Sequence, residues 1–88
     1  MMNYAKEGKK MLTIIDQTGK LCFETKSISL NYDNIVAVNE ATKEKIIVFI
    51  SNDDKKAKNI FEMMITRIVK IKMGTPVIPV FDIRDVAK

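Results

Sequence analysis

The sequence contains no histidine. Histidine is the side chain whose ordinary pKa lies near neutrality, so its absence excludes Ser–His and Cys–His catalysis and imidazole metal sites together. The three glycines, Gly8, Gly19 and Gly74, are isolated from one another, which excludes a glycine-rich phosphate loop. We therefore expect a protein without enzyme activity, bound metal or cofactor.

Cysteine and long apolar runs are also scarce. Cys22 is the one cysteine, so neither an intramolecular disulfide nor a thiolate metal cluster is expected, and we predict a buried or half-buried side chain here. Residues 46–50 form one of the longest apolar runs, whereas a membrane-spanning helix needs about 18 residues or more. Residues 11–15 are too few for the core of a signal peptide. The sequence therefore predicts a cytoplasmic protein.

The length and composition indicate one small globular domain. The chain has 88 residues, of which 47% are hydrophobic. Residues 1–10 show no apolar periodicity and are predicted to be a flexible N-terminal tail, whereas residues 11–88 are predicted to form a single domain. A chain of this size buries only about 60–65% of its unfolded surface, which makes a homodimer a reasonable expectation.

The clearest pattern is an amphipathic helix over about residues 53–73. Asp53 is one of several candidate N-caps, Gly74 suits the position after the helix, and Pro76 prevents its continuation. At about 100° per residue, the apolar side chains occupy an arc of about 140°, which suits a helix lying flat on a sheet. They are Ala57, Ile60, Phe61, Met64, Ile65, Ile68 and Ile71.

Short apolar segments and turn residues predict a small antiparallel sheet. Residues 12–16 and 21–25 flank a polar loop with Gly19 and predict a hairpin, after which a change of apolar phase near Lys26 and Ser27 predicts a bulge or bend. Residues 46–50 are continuously apolar and predict a central strand covered on both faces. The fold class is therefore α+β, with four or five strands and one long helix on one face, and a pleckstrin-homology-like half-barrel is the more specific variant.

The segment after the helix is apolar but contains Pro79, which cannot donate to a strand ladder. We therefore predict an edge position for residues 76–88. An apolar edge must be covered, either by the helix of the same domain or by a partner chain.

One flank of the predicted helix is a candidate partner-binding site. Lys56, Met63, Arg67 and Lys70 lie within about 60° of one another outside the apolar arc, and we call them the basic flank. A basic stripe with an exposed methionine suits an acidic protein surface or a phosphate backbone. A solvated helix face with one methionine is the simpler explanation, and nucleic-acid binders usually add aromatic stacking.

A metal-dependent nuclease is a further alternative. Asp16, Glu24 and Lys26 loosely follow the arrangement in which two carboxylates hold Mg²⁺ and a lysine stabilises developing charge. Alternating polar residues on the outer face of a hairpin explain the same pattern.

Two runs resemble a loose group of small uncharacterised proteins from phages and low-GC Gram-positive bacteria. Tyr32-Asp33-Asn34-Ile35-Val36 is similar to the start of a strand in that group, and Asp54-Lys55-Lys56-Ala57-Lys58-Asn59-Ile60-Phe61 partly follows the start of its helix. The group usually has a Leu-Gly-x-Tyr stretch before the helix, which this chain lacks. The resemblance implies an α+β fold and a phage or prophage origin, and it implies no activity.

We therefore expect a non-enzymatic interaction module that binds another protein or its own copy. The first alternative is a nucleic-acid-binding accessory protein that uses Lys56, Arg67 and Lys70. The second is a small Mg²⁺-dependent nuclease that uses Asp16, Glu24 and Lys26.

Overall fold

The computed structural model describes residues 11–87, so the tail predicted for residues 1–10 lies outside the described part of the chain. Short strands occupy the first half of this range, and a long helix and a shorter C-terminal segment follow. The elements are β1 (Leu12–Ile15), β2 (Cys22–Thr25), β3 (Ile28–Asn31), β4 (Asn34–Val38), β5 (Lys45–Ile50), α1 (Asp54–Lys72), β6 (Val80–Asp82) and α2 (Ile83–Val86).

The described strands form two three-stranded sheets, in the orders β2-β1-β6 and β3-β4-β5. Sequential neighbours pair antiparallel, and β6 pairs parallel to β1 because the chain returns to it by way of α1. The α+β class with one long helix is confirmed. Within residues 11–87 the strands number six rather than four or five, and they divide between two sheets. The pleckstrin-homology-like variant stays a prediction.

The division between the sheets occurs at the predicted bend. The Thr25 side chain is fully buried, and its hydroxyl donates to the carbonyl of Ser27 at 3.0 Å and accepts from the Ser27 N–H at 3.2 Å. These two bonds fold the backbone sharply between β2 and β3. The side-chain phase therefore changes here, as the sequence indicated.

Helix α1 has the boundaries that its capping residues predict. The Asp53 carboxylate accepts hydrogen bonds from the N–H groups of Lys55 and Lys56 at 3.0 and 3.4 Å. After the helix, Gly74 adopts a φ of +77°, which favours glycine. The buried residues of α1 all come from the predicted apolar arc: Ala57, Ile60, Met64, Ile68 and Ile71.

Strand β5 differs from its prediction as a central strand. It is an edge strand, and Ile47 and Ile50 are 49% and 55% exposed. The pairing register with β4 shifts between Ile35 and Val36, and consecutive residues Val48 and Phe49 are both buried. The continuous apolar run thus reflects a bulge rather than a strand covered on both faces.

The core lies between α1 and the sheets. Leu12 and Ile14 from β1 and Ile35 and Ala37 from β4 are fully buried beneath the helix. Cys22, predicted to be buried or half-buried, is exposed because it pairs with Ile15 on the outer face of β2. Among residues 11–87, no helix is both long and apolar enough to cross a membrane.

The C-terminal segment, residues 76–87, covers the core of its own chain. Phe81 and Ile83 are buried, and the N–H of Thr13 donates to the carbonyl of Pro79 at 2.8 Å. Strand β6 is an edge strand, as Pro79 predicts. The sequence did not decide whether this apolar segment is covered by its own domain or by a partner chain. In the structure, its own domain covers Phe81 and Ile83.

Candidate interaction surfaces

A groove of about 670 Å³ separates α1 from the C-terminal segment. Its volume is within the range of ordinary ligand clefts. It brings together three of the four basic-flank residues, Met63, Arg67 and Lys70, and Lys56 does not line it. The lining side chains are Asn59, Glu62, Met63, Thr66, Arg67, Lys70, Val77, Phe81 and Val86.

Arg67 attaches the C-terminal segment to the helix. Its Nη1 donates to the carbonyl oxygens of Ile78 and Val80 at 3.1 and 2.9 Å, and its guanidinium carbon lies 5.3 Å from the centre of the Phe81 ring. Bonds from a charged donor and a cation–π contact are among the stronger polar interactions of a small protein. The guanidinium therefore has an internal structural role.

Lys56 makes a similar internal contact. Its Nζ donates to the carbonyl of Ala87 at 2.7 Å. Met63 and Lys70 remain exposed at the rim of the groove. The basic flank thus contains two residues that hold the C-terminal segment and two that face solvent.

Strand β6 has an outer edge that is occupied by the same arginine. Ile78 and Val80 direct carbonyls away from β1, and Arg67 donates to both. An unpaired strand edge is a template for another strand, so covering it with a side chain prevents unwanted pairing.

Strand β5 has an outer edge that is occupied by Gln17. The Gln17 side-chain amide accepts from the N–H of Ile50 and donates to its carbonyl at 3.2 Å. The Gln17 backbone N–H also donates to the carbonyl of Val48 at 3.0 Å. One residue of the β1–β2 loop therefore supplies strand-like bonds at the Val48 and Ile50 end of β5.

The outer edge of strand β2 makes one hydrogen bond within the described part of the chain. The carbonyl of Glu24 accepts from the N–H of Glu40 at 3.0 Å. This bond also joins the two sheets at the end opposite to Gln17.

Strand β3 has an open outer edge. The N–H of Val38 donates to the carbonyl of Ser27, and backbone groups alternate in direction along an antiparallel pair, so Ser29 and Asn31 also bond to β4. Ile28 and Leu30 consequently point their N–H and C=O groups away from β4. Within residues 11–87 these groups have no hydrogen-bond partner, and we call them the open edge.

A hollow of about 320 Å³ lies at the end of the open edge, against the first turns of α1. Its lining combines an apolar residue, an aromatic residue and three charged ones: Leu30, Tyr32, Asp54, Lys55 and Lys58. Tyr32 is 87% exposed and has a φ of +58°, a backbone conformation that residues other than glycine rarely adopt. We call this site the lysine hollow.

The nuclease arrangement is not formed. Asp16 is buried, and its carboxylate accepts from the Thr18 hydroxyl at 2.8 Å and from the N–H groups of Lys20 and Leu21 at 3.1 and 3.0 Å. Burial alone would raise the pKa of Asp16, but these hydrogen bonds outweigh it, and the pKa lies below its ordinary value.

Asp16 and Glu24 also face opposite sides of their sheet. Glu24 pairs with Thr13, and successive side chains alternate along a strand, which places Asp16 on the other face. Lys26 follows the end of β2. No group of three or more metal-binding side chains is found in the described part of the chain. The structure therefore does not bring Asp16, Glu24 and Lys26 together as a metal site, because the Asp16 carboxylate closes a turn instead of facing Glu24.

Comparisons of the chain with models of known protein families, with curated proteins and with solved structures find no match. The open edge and the role of Gln17 were both missed by sequence reasoning. A glutamine in a polar loop carries no sign of the distant strand that it caps. The open edge depends on which strands become neighbours, which local patterns do not specify.

Proposed function

We propose that the protein is a non-enzymatic interaction module that binds an extended protein segment by strand addition to β3. One observation carries the proposal: among residues 11–87, the outer edges of β2, β5 and β6 each make at least one hydrogen bond outside their sheet pairing, and the outer edge of β3 makes none. Strand addition gives affinity through main-chain hydrogen bonds and specificity through alternate side chains.

Apolar contacts beside the open edge support this proposal. Ile28 and Leu30 are half-buried and pair with the core residues Ala37 and Ile35. An added strand would place every second side chain next to them.

The adjoining side of α1 extends this apolar surface. Phe61 and Ile65 are half-buried and Val69 is 46% exposed, and the spacing of four residues aligns them on the side of α1 that carries Lys58. An amphipathic strand can bury part of this surface.

The basic flank gives less support to the nucleic-acid alternative. Lys56 and Arg67 donate to backbone carbonyls, so Lys70 is the cation of that set that extends from the rim of the groove. We also propose a phage or prophage origin, which the sequence resemblance implies. The cytoplasmic location predicted from the sequence is likewise a proposal.

Amide hydrogen exchange and peptide binding test the proposal. In the free protein, the amides of Ile28 and Leu30 should exchange faster than those of Ser29 and Asn31. The probes are short synthetic peptides in which valine alternates with threonine, with ends that are acidic, basic or neutral. Binding of at least one peptide should slow exchange at Ile28 and Leu30.

A pair of variants isolates the backbone contribution. Leu30→Pro removes an outward N–H that β4 does not use, and Leu30→Ala removes the same side chain but keeps the N–H. Peptide binding should be weaker in Leu30→Pro than in Leu30→Ala. The proposal is overturned if the two folded variants bind the peptides equally, or if no peptide slows exchange of the Ile28 and Leu30 amides. If Leu30→Pro does not fold, the exchange measurement on the unaltered protein decides.

A further inference from the structure

Lysines bracket the open edge of β3. Lys26 lies two residues before the strand, and Lys55 and Lys58 line the lysine hollow at its other end. All three side chains are exposed. A segment bound at β3 therefore has cations near both of its ends.

Carboxylates also lie near these lysines. Asp54 lines the lysine hollow, and Asp33 lies in the β3–β4 loop. Glu40 acts on Lys26 electrostatically, but its carboxylate already accepts from Lys43 Nζ at 2.7 Å. Asp53 caps α1 and places a further negative charge at its first turn. Within the lysine hollow itself, two lysines lie beside one aspartate, so its lining carries a net positive charge.

On the basis of the function proposed above, we infer that the bound segment is an extended strand of a different protein, with carboxylate side chains towards its ends. Its alternate apolar residues face Ile28 and Leu30. Its carboxylates lie near Lys26 at one end and near Lys55 and Lys58 at the other. Complementary charge of this kind selects partners and accelerates encounter more than it adds affinity.

A second copy of the chain fits the same edge less well. Antiparallel pairing of two β3 strands about a twofold axis at Ser29 places residue 26 of one copy beside residue 32 of the other. Lys26 would then meet the hollow that contains Lys55 and Lys58. Like charges repel, and at physiological salt this repulsion is screened only beyond about 8 Å.

The residues that precede β1 carry the same sign of charge. That part of the sequence contains three lysines, Lys6, Lys9 and Lys10, and one acidic residue, Glu7. Charge therefore disfavours this segment as the occupant of the open edge.

The test compares two of the synthetic peptides, which differ only in acidic or basic ends. We expect the acidic peptide to bind at least fivefold more tightly at low salt, with the difference shrinking as salt is added. Lys58→Glu should reduce or reverse this preference. Lys20→Glu, the same change in the exposed β1–β2 loop, should preserve it.

The outcomes separate the inference from the proposed function. If both peptides bind equally and protect the amides of Ile28 and Leu30, strand addition stands and the inference about charge is wrong. If neither peptide protects these amides, the proposed function itself fails.

The competing occupants have signatures of their own. A concentration-dependent dimer with protected Ile28 and Leu30 amides in the absence of peptide identifies a second copy and overturns the inference. Protection that disappears when residues 1–10 are deleted identifies the chain's own preceding segment and overturns it as well.

Discussion

The side-chain amide of Gln17 forms two hydrogen bonds with the backbone of Ile50, one to its N–H and one to its carbonyl. An amide side chain carries the same donor and acceptor as a peptide group, so it can satisfy a strand edge in place of another strand. The pairing also ties the loop after β1 to the second sheet.

Removing this amide should weaken the fold and open the edge of β5. We expect Gln17→Ala to lower the free energy of unfolding by about 1–2 kcal/mol, because the Ile50 backbone groups lose their partner. Urea denaturation measures this loss, and light scattering should show more self-association than in the unaltered protein. Lys20→Ala, in the same loop, should change neither quantity, and matching results for the two variants would contradict the role given to Gln17.

Arg67 should be essential to the attachment of the C-terminal segment. Arg67→Met keeps much of the aliphatic stem but loses the bonds to Ile78 and Val80 and the contact with Phe81, so we expect a loss of about 1.5–3 kcal/mol. Amide exchange across β6 should accelerate. Lys70→Met, on the same helix flank, is the matched control and should leave both measurements nearly unchanged.

Asp16 should make the stability depend on pH in the acid range. Its pKa is lowered in the folded protein, so its contribution is present above the unfolded value of about 3.9 and is lost as the pH falls through the folded pKa. Asp16→Asn should therefore flatten the decline in stability below about pH 4.

Other carboxylates leave a residual pH dependence in that variant. The pKa of Asp82 is lowered chiefly by its hydrogen bonds with Arg84, and the pKa of Glu40 chiefly by its hydrogen bond with Lys43. Urea midpoints measured from pH 2 to pH 6 give the comparison, with the exposed Asp85→Asn as control. An unchanged decline in Asp16→Asn would show that the turn does not respond to protonation.

Replacing Tyr32 with asparagine should stabilise the protein. A positive φ costs about 1–2 kcal/mol for most L-residues, whereas asparagine tolerates it. Tyr32→Asn should therefore raise the free energy of unfolding by about 0.5–1 kcal/mol. Tyr32→Ala removes the same exposed ring without relieving the backbone, so a gain of equal size in that variant would refute the explanation.

Much of the fold could be predicted because its causes are local. The ends of α1 follow from Asp53 and Gly74, and the bend at Ser27 follows from a change in apolar phase. The position of β5 could not be predicted, since a bulge and two-sided burial both produce a continuous apolar run.

The candidate site was harder to predict because its causes are distant. Lys56 and Arg67 resemble solvated cations until Ala87, Ile78 and Val80 are brought next to them. The helical spacing identified the right flank of α1, but it could not show that two of its members hold the C-terminal segment.

The parallel pairing of β6 with β1 has a consequence for the protein during its synthesis. Thr13 pairs with Val80, so nearly the whole described chain must leave the ribosome before the first sheet can be completed. Until then one side of β1 lacks its neighbour, and Phe81 and Ile83 have not yet covered the core. A translation product that stalls after α1 would therefore expose apolar surface to chaperones and proteases.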